Sequence, residues 1–114
     1  MTPSETRRLA HHLANVLGST LVSTLAGSTD TRAAAGWRHA DGSTPNTEAI
    51  LRLECAEDAW RKISGAEGDD VARAWFVGGN PWLHGDTAIT AIREGRFDEV
   101  AIAVRAHLDD SFSG

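Results

Sequence analysis

The chain has 114 residues, of which 41% are hydrophobic, and a net charge of −5 at pH 7. This is the size of one small domain, or of two helical subdomains that share a core. No apolar run approaches the roughly 20 residues that a membrane-spanning helix needs, and residues 1–5 lack the basic and apolar parts of a secretory signal. A single cysteine, Cys55, excludes an internal disulfide. We therefore expect a globular, cytoplasmic protein that does not enter a membrane.

The charge is distributed unevenly along the chain. Four arginines against three acidic residues give residues 1–45 a net charge of +1. Because the whole chain has a net charge of −5, residues 46–114 have a net charge of −6. Such asymmetry suggests different partners for the two parts of the chain.

The first three predicted helices are short and end at glycines. The sequence Thr2-Pro3-Ser4-Glu5 is typical of a capped helix start, and this helix should end at Gly18. A second helix should end at Gly27, and a third should span about residues 29–40. Gly36 lies inside the third helix, where glycine costs about 1 kcal/mol relative to alanine, so we expect another segment to approach closely there.

Residues 41–45 are a loop by composition, and a long helix over residues 46–64 follows. One apolar stripe runs along this helix, formed by Ala49, Leu53, Ala56, Trp60 and Ile63. The segment 65–68, with glycine at both ends, should break it.

Three further helices are predicted after residue 68. The first begins at Asp69 or Asp70 and ends before Pro81, the second is capped by Asp86 and ends at Gly95, and the third spans about residues 97–111. The expected apolar residues of the first are Val71, Ala74, Trp75 and Val77. Those of the third are Phe97, Ala101, Val104 and Leu108. No segment alternates with a period of two, so the sequence predicts an all-α fold without a sheet.

Helices one to three have the lengths and breaks of a helix-turn-helix unit, with Gly27 at the turn and the third as recognition helix. Arginine can contact guanine with two hydrogen bonds, and threonine can contact phosphates or base edges. The candidate DNA-contacting residues are Thr29, Asp30, Thr31, Arg32, Arg38 and His39. A plain helical hairpin with a few surface charges fits the same pattern, and the pattern alone leaves both open.

Two ordered motifs resemble a known family. Leu25-Ala26-Gly27, Asp30-Thr31-Arg32, Trp37, Gly42 and Pro45 resemble the end of an Xre-type helix-turn-helix. The second motif comprises Ala74-Trp75-Phe76, Asn80-Pro81-Trp82-Leu83, Gly85, Ala91-Ile92-Arg93-Glu94-Gly95-Arg96-Phe97 and Val100. It is similar to the toxin-binding region of Xre/ParS/MbcA-type antitoxins, and the resemblance covers about residues 13–108. The chain departs from that pattern at Ala88, where the family usually has proline, and at Gly36, where it often has a larger residue.

The resemblance implies an antitoxin of a type II toxin–antitoxin system. Such proteins bind and neutralise a RES-domain toxin that degrades NAD, and they repress their own promoter by binding operator DNA. Residues 1–45 would then be an Xre-like helix-turn-helix bundle, continuous with a helical toxin-binding region over residues 46–114. The implied toxin-binding residues are Trp75, Asn80, Pro81, Trp82, Leu83, Gly85, Arg93, Gly95 and Arg96.

The aromatic residues of this region could serve the core or an interface. We expect Trp75, Phe76 and Phe97 to be core residues. For Trp82, which follows a helix-ending proline in a loop, core and interface are equally open.

A catalytic or metal-binding role has little support in the sequence. The five histidines show no His-x3-His spacing, and we expect Cys55 to lie within an apolar helix stripe, which favours a core position. We predict no enzyme activity, no cofactor and no metal. A stand-alone transcriptional regulator is the alternative to the antitoxin, and a small enzyme using His84 or His107 is a distant third. Symmetric half-sites of DNA would require a homodimer, alone or as a hetero-oligomer with the toxin.

Overall fold

The computed structural model describes residues 2–39 and 43–113, with side chains to residue 110. Within these ranges the chain forms seven α-helices and one 3₁₀ helix and no strand, which confirms the predicted all-α fold. The helices are α1 Pro3–Leu17, α2 Ser19–Leu25, α3 Ala33–Trp37, α4 Thr47–Glu67, α5 Asp69–Val77, the 3₁₀ helix Pro81–Leu83, α6 Ala88–Arg93 and α7 Phe97–Ser113. Residues 40–42, part of the predicted third helix and loop, lie outside the described residues.

The first two helices begin and are separated at the residues that the sequence predicts, Thr2 and Gly18. Thr2 caps α1, because its Oγ1 accepts a hydrogen bond from the backbone nitrogen of Glu5 at 3.1 Å. Gly18 separates α1 from α2. The buried hydroxyl of Ser23 on α2 accepts a hydrogen bond from the backbone nitrogen of Ala34 at 2.9 Å, which ties α3 to α2.

The third helix is shorter than predicted, because polar side chains compete for the backbone before it begins. The carboxylate of Asp30 accepts a hydrogen bond from the nitrogen of Arg32 at 2.9 Å, and Ser28 Oγ accepts one from the nitrogen of Asp30 at 3.0 Å. Such local bonds favour a turn over a helix. Among the described residues, a Cβ atom at Gly36 would meet Ser43 Oγ at 3.8 Å, so the close approach expected there stays a prediction.

The predicted helix break at residues 65–68 begins later than expected, so its predicted start at Gly65 was wrong. Helix α4 continues through Gly65 and ends only at Gly68. A single glycine in a 21-residue helix costs too little to stop it when the rest of the helix is packed.

The inward faces of two later helices and one cap differ from the prediction. On α5 the buried residues are Ala72, Trp75 and Phe76, whereas Val71, Ala74 and Val77 are exposed. On α7 Ala101 is exposed, because Val100, Ala103 and Val104 occupy the buried side. Thr87 rather than Asp86 caps α6, since its Oγ1 accepts the hydrogen bond of the Thr90 nitrogen at 3.1 Å. Asp86 instead pairs with Arg96.

Helix α4 lies at the centre of the bundle and packs against α1, α2, α5, α6 and α7. One contiguous core draws on residues from both sides of Pro45, including Leu13, Leu25, Leu53 and Phe76. The division of function at residues 45/46 stays a prediction. Across residues 2–39 and 43–113, no helix combines the length and apolar character needed to cross a membrane.

Candidate protein-binding surface

The segment between α5 and α6 is a loop closed by one residue, Asn80. Its side-chain oxygen accepts a hydrogen bond from the nitrogen of Trp82 at 2.9 Å, and its backbone carbonyl accepts bonds from the nitrogens of Leu83 and Gly85, both at 2.9 Å. Its own nitrogen donates to the carbonyl of Asp86 at 3.0 Å. One buried residue thus makes four hydrogen bonds through its side chain and its backbone, and these bonds hold the loop in the conformation described.

Arg96 ties this loop to the start of α7. Its guanidinium donates to Asp86 at 2.8 Å, to Glu94 at 2.9 Å and to Glu99 at 2.9 Å. Nη2 donates to the carbonyl of Leu83 at 3.2 Å. The hydrogen bond that Arg96 donates to Glu99 is the largest contribution to a raised pKa of Arg96, and the same bond lowers the pKa of Glu99.

The loop presents one large aromatic side chain to solvent. Trp82 is 56% exposed, and Ile102 on α7 is 55% exposed. Both line a shallow groove of about 340 Å³, whose lining residues are Trp82, Ile102, Arg105, Ala106, Asp109 and Asp110. We call these six residues the Trp82 surface.

A second cleft of about 230 Å³ borders the Trp82 surface, and Trp82, Pro81 and Asp110 belong to its lining. Trp75 also lines it, and its indole Nε1 is buried without a hydrogen-bond partner among the described residues. His107 lines the cleft as well, and its Nε2 lies 2.6 Å from Glu67 Oε2.

The implied toxin-binding residues do not form one exposed patch. Pro81, Trp82 and Gly85 are exposed, Arg93, Gly95 and Arg96 are partly buried, and Trp75, Asn80 and Leu83 are buried. The buried residues shape the loop and do not offer a surface. Sequence reasoning missed Ile102 and Arg105, although residues 102, 105, 106 and 109 have the spacing of one helix face, opposite the buried face of α7.

Arg93 contacts the N-terminal part of the chain. Its Nη1 donates to the carbonyl of Thr24 at 2.6 Å and to that of Ser28 at 3.1 Å. These bonds join α6 to the end of α2 and to the turn after it.

The candidate DNA-contacting residues lie on two separate segments. Thr29, Asp30, Thr31 and Arg32 are exposed in the turn before α3, and His39 is exposed after it. Arg38 is partly buried, and its guanidinium donates to His11 Nδ1 and to Asn15 Oδ1, both at 3.2 Å. The connection from α2 to α3 has seven residues, Ala26–Arg32, whereas helix-turn-helix units use three or four.

Two further ionisable residues have described surroundings, His12 and Cys55. His12 Nδ1 lies 2.7 Å from Glu57 Oε2. Cys55 is half-buried, and burial, followed by the charge of Asp58, raises the pKa of its thiol to about 11. Among the described residues, no three histidine, cysteine, aspartate or glutamate side chains come together in a group that could hold a metal ion.

Comparison with known proteins leaves the family resemblance as an expectation from the motifs. No protein-family model matches this chain, no curated protein matches it, and no solved structure matches it.

Proposed function

We propose that this protein is an antitoxin that neutralises a RES-domain toxin by binding it through the Trp82 surface. The observation that carries the proposal is the exposure of Trp82 beside Ile102 on a loop held by Asn80 and Arg96. The residues Asn80-Pro81-Trp82-Leu83, which build this loop, are part of the longer motif that resembles the toxin-binding region of the family.

The energetics of the loop favour a role in binding. Tryptophan is enriched among the few residues that carry most of the free energy of protein–protein association. A loop already fixed in one conformation loses little conformational entropy when a partner covers it. Burial of the apolar area that Trp82 and Ile102 offer therefore carries only a small cost of ordering.

The charge of the region suggests the chemistry of the partner. Asp109 and Asp110 belong to the Trp82 surface, and residues 46–114 carry a net charge of −6. Complementary potentials speed encounter and exclude wrong partners, so a toxin with a basic cleft suits this surface.

The test is the affinity of the purified protein for the RES-domain product of the adjacent gene, measured by calorimetry, with inhibition of NAD degradation as a second measurement. We expect Trp82→Ala to raise the dissociation constant about 30-fold or more and Ile102→Ala about 10-fold. Val71→Ala, an exposed position on α5, is the matched control and should leave it unchanged. Tight binding that neither Trp82→Ala nor Ile102→Ala weakens would remove the Trp82 surface from the proposal.

The proposal includes repression through operator DNA bound by the N-terminal part. Helices α1, α2 and α3 pack against one another, and the turn before α3 exposes Thr29, Thr31 and Arg32. Phosphate contacts make affinity fall as salt rises, so Arg32→Ala should weaken promoter binding and reduce its salt dependence, whereas Arg105→Ala should not. If the protein binds the promoter but binds no toxin, the result would favour the stand-alone regulator. No promoter binding at low salt would leave toxin neutralisation alone.

A further inference from the structure

We propose that the toxin docks a second segment, in which an apolar side chain lies beside an arginine or lysine, in a groove between α4 and α7. This proposal rests on the proposed function and deepens it, because it assigns another contact surface and the chemistry of the segment that fills it. None of the nine implied toxin-binding residues lines this groove.

The groove between α4 and α7 is mostly apolar and has a volume of about 250 Å³. Leu51, which lines it, is 50% exposed. Burial of apolar surface by a partner's side chain is favourable, so the groove can take the apolar part of a partner segment. We call it the α4 groove, and its apolar lining includes Leu51, Cys55, Ala59, Phe97, Ala101 and Val104.

An acidic cleft adjoins the α4 groove, because Asp58 lines both. The cleft lies between α1 and α4 and has a volume of about 530 Å³. Its charged lining residues are the carboxylates Glu5, Glu54, Glu57 and Asp58 and the guanidinium Arg61, so one positive and four negative charges give it a net charge of −3. A cationic group of a partner is therefore attracted to this side of the α4 groove.

Two of these carboxylates already have basic partners. Glu57 Oε2 lies 2.7 Å from His12 Nδ1, and Asp58 Oδ2 lies 2.9 Å from Lys62 Nζ. Glu54 is exposed, and no group of the described residues pairs with its carboxylate. Glu54 is therefore the carboxylate that an incoming cation can meet without displacing another cation.

The position of Glu54 on α4 defines the spacing of the partner segment. Residues 51, 54, 55 and 58 have the spacing i, i+3, i+4 and i+7 of one helix face, so Glu54 lies beside Leu51 and Cys55 of the α4 groove. Neighbours on such a face have Cβ atoms about 5–6 Å apart. The matching segment therefore carries its apolar and basic side chains at a similar separation, as on one turn of an amphipathic helix.

Glu54 also has a local cost that a basic partner would offset. It precedes Asp58 by four residues and Glu57 by three, and like charges at these spacings destabilise a helix. Residues that break a local preference are expected at functional sites, where another interaction compensates for them. An arginine or lysine of the toxin would supply that interaction at position 54.

Like charges disfavour other occupants of the α4 groove. A nucleic acid would bring its phosphates toward Glu54 and Asp58, and a second copy of this chain would bring the same carboxylates. A basic, partly apolar segment of a protein is the occupant that matches both the groove and the acidic cleft.

One toxin molecule can cover the α4 groove and the Trp82 surface together. Ala101 lines the α4 groove, its neighbour Ile102 belongs to the Trp82 surface, and both are exposed on α7. A protein–protein interface of standard size covers about 800 Å² on each partner, which is enough to include adjoining positions of one helix.

The first test measures the affinity of the full chain for the RES-domain product of the adjacent gene by calorimetry. We expect Glu54→Lys to raise the dissociation constant about tenfold, because it sets a positive charge against the basic side chain of the partner. Asp69→Lys is the matched control, since it makes the same change of charge at an exposed position on α5 that lines neither the groove nor the cleft. It should change the dissociation constant about twofold or less.

Thermal unfolding separates this effect from a structural one. Glu54→Lys should melt at or above the wild-type temperature, because it replaces repulsion with attraction toward Asp58. A variant that is at least as stable as the wild type and binds the toxin more weakly has lost a contact with the toxin.

The second test removes the apolar contact. Leu51→Ala should raise the dissociation constant for the same toxin about tenfold, because the leucine loses its contact with the partner's apolar side chain. Val77→Ala is its control, since Val77 is 49% exposed but lies on α5 away from the α4 groove, and it should leave the affinity unchanged.

The outcomes separate this proposal from the proposed function. Toxin binding that Trp82→Ala weakens, but neither Glu54→Lys nor Leu51→Ala does, overturns the α4 groove and leaves the Trp82 surface standing. Equal effects of Glu54→Lys and Asp69→Lys also overturn it, because they would reflect the net charge alone. Binding that only Glu54→Lys and Leu51→Ala weaken supports the α4 groove and removes the Trp82 surface. Absence of toxin binding by the wild type overturns the proposed function and this proposal with it.

Discussion

Arg93 on α6 donates a hydrogen bond of 2.6 Å to the backbone carbonyl of Thr24 at the end of α2. The two residues are 69 positions apart, and the bond joins the last third of the chain to the first. A second bond, to the carbonyl of Ser28, comes just before the exposed turn at residues 29–32. The guanidinium thereby fixes where that turn lies relative to α6.

Replacing Arg93 should destabilise the fold. We expect Arg93→Ala to lower the free energy of unfolding by about 1–3 kcal/mol, because two backbone carbonyls lose a charged donor. Urea denaturation measures it. Arg105→Ala, an exposed position on α7, should change stability by about 0.5 kcal/mol or less. Equal effects of the two variants would contradict a special role for Arg93.

Two glycine-to-alanine substitutions should change the stability of the fold in opposite directions. Gly95 has a φ of 74° and follows α6, where the nitrogen of Arg96 donates to the carbonyl of Ala91 at 2.9 Å. Gly95→Ala should lower stability by about 1–2 kcal/mol, because an L side chain is strained at that φ. Gly65→Ala should raise it by as much as about 1 kcal/mol, since Gly65 is helical and an added Cβ meets no atom of the described residues within 4 Å. Thermal unfolding compares the two, and a stabilising Gly95→Ala would be inconsistent with this helix end.

Only one of the four tryptophans should respond strongly to an aqueous quencher. Trp82 is exposed, whereas Trp37, Trp60 and Trp75 are buried. We expect Trp82→Phe to remove most of the emission that iodide quenches and Trp37→Phe to leave it in place. Undiminished iodide quenching in Trp82→Phe would mean that the loop does not hold Trp82 at the surface.

The Arg96–Glu99 pair should make stability depend on pH. The pKa of Glu99 is lowered from 4.5, mainly by the hydrogen bond from Arg96, and His84 Nε2 also lies 3.2 Å from its carboxylate. A depressed folded-state pKa gives stability that is fully present above 4.5 and is lost as the pH falls below it. The melting temperature of Glu99→Gln should therefore lie below that of the wild type at pH 7, and the difference should shrink as the pH falls below 4.5.

The control for this comparison is Glu54→Gln, an exposed position on α4, which should have the smaller effect at pH 7. A gap between wild type and Glu99→Gln that stays constant from pH 7 to pH 3 would show that the carboxylate charge is not its cause.

The sequence by itself determined the helical class and most helix ends, because these depend on local signals. The cap at Thr2 and the glycines at positions 18 and 95 act within a few residues, so their effect can be read from the chain. Misplaced ends came where two local signals competed, as at Asp30, or where a packed helix overrode a glycine, as at Gly65.

Only the tertiary structure decided which faces are buried and which side chains reach across the fold. Periodicity marked Val71 and Ala101 as inward, yet the packing of α5 and α7 turned both outward. The partners of Arg93 and Arg96 follow from contacts between helices far apart in the chain. The apolar surface formed by Trp82 and Ile102 also depends on the tertiary structure, because Trp82 lies in the loop and Ile102 on α7.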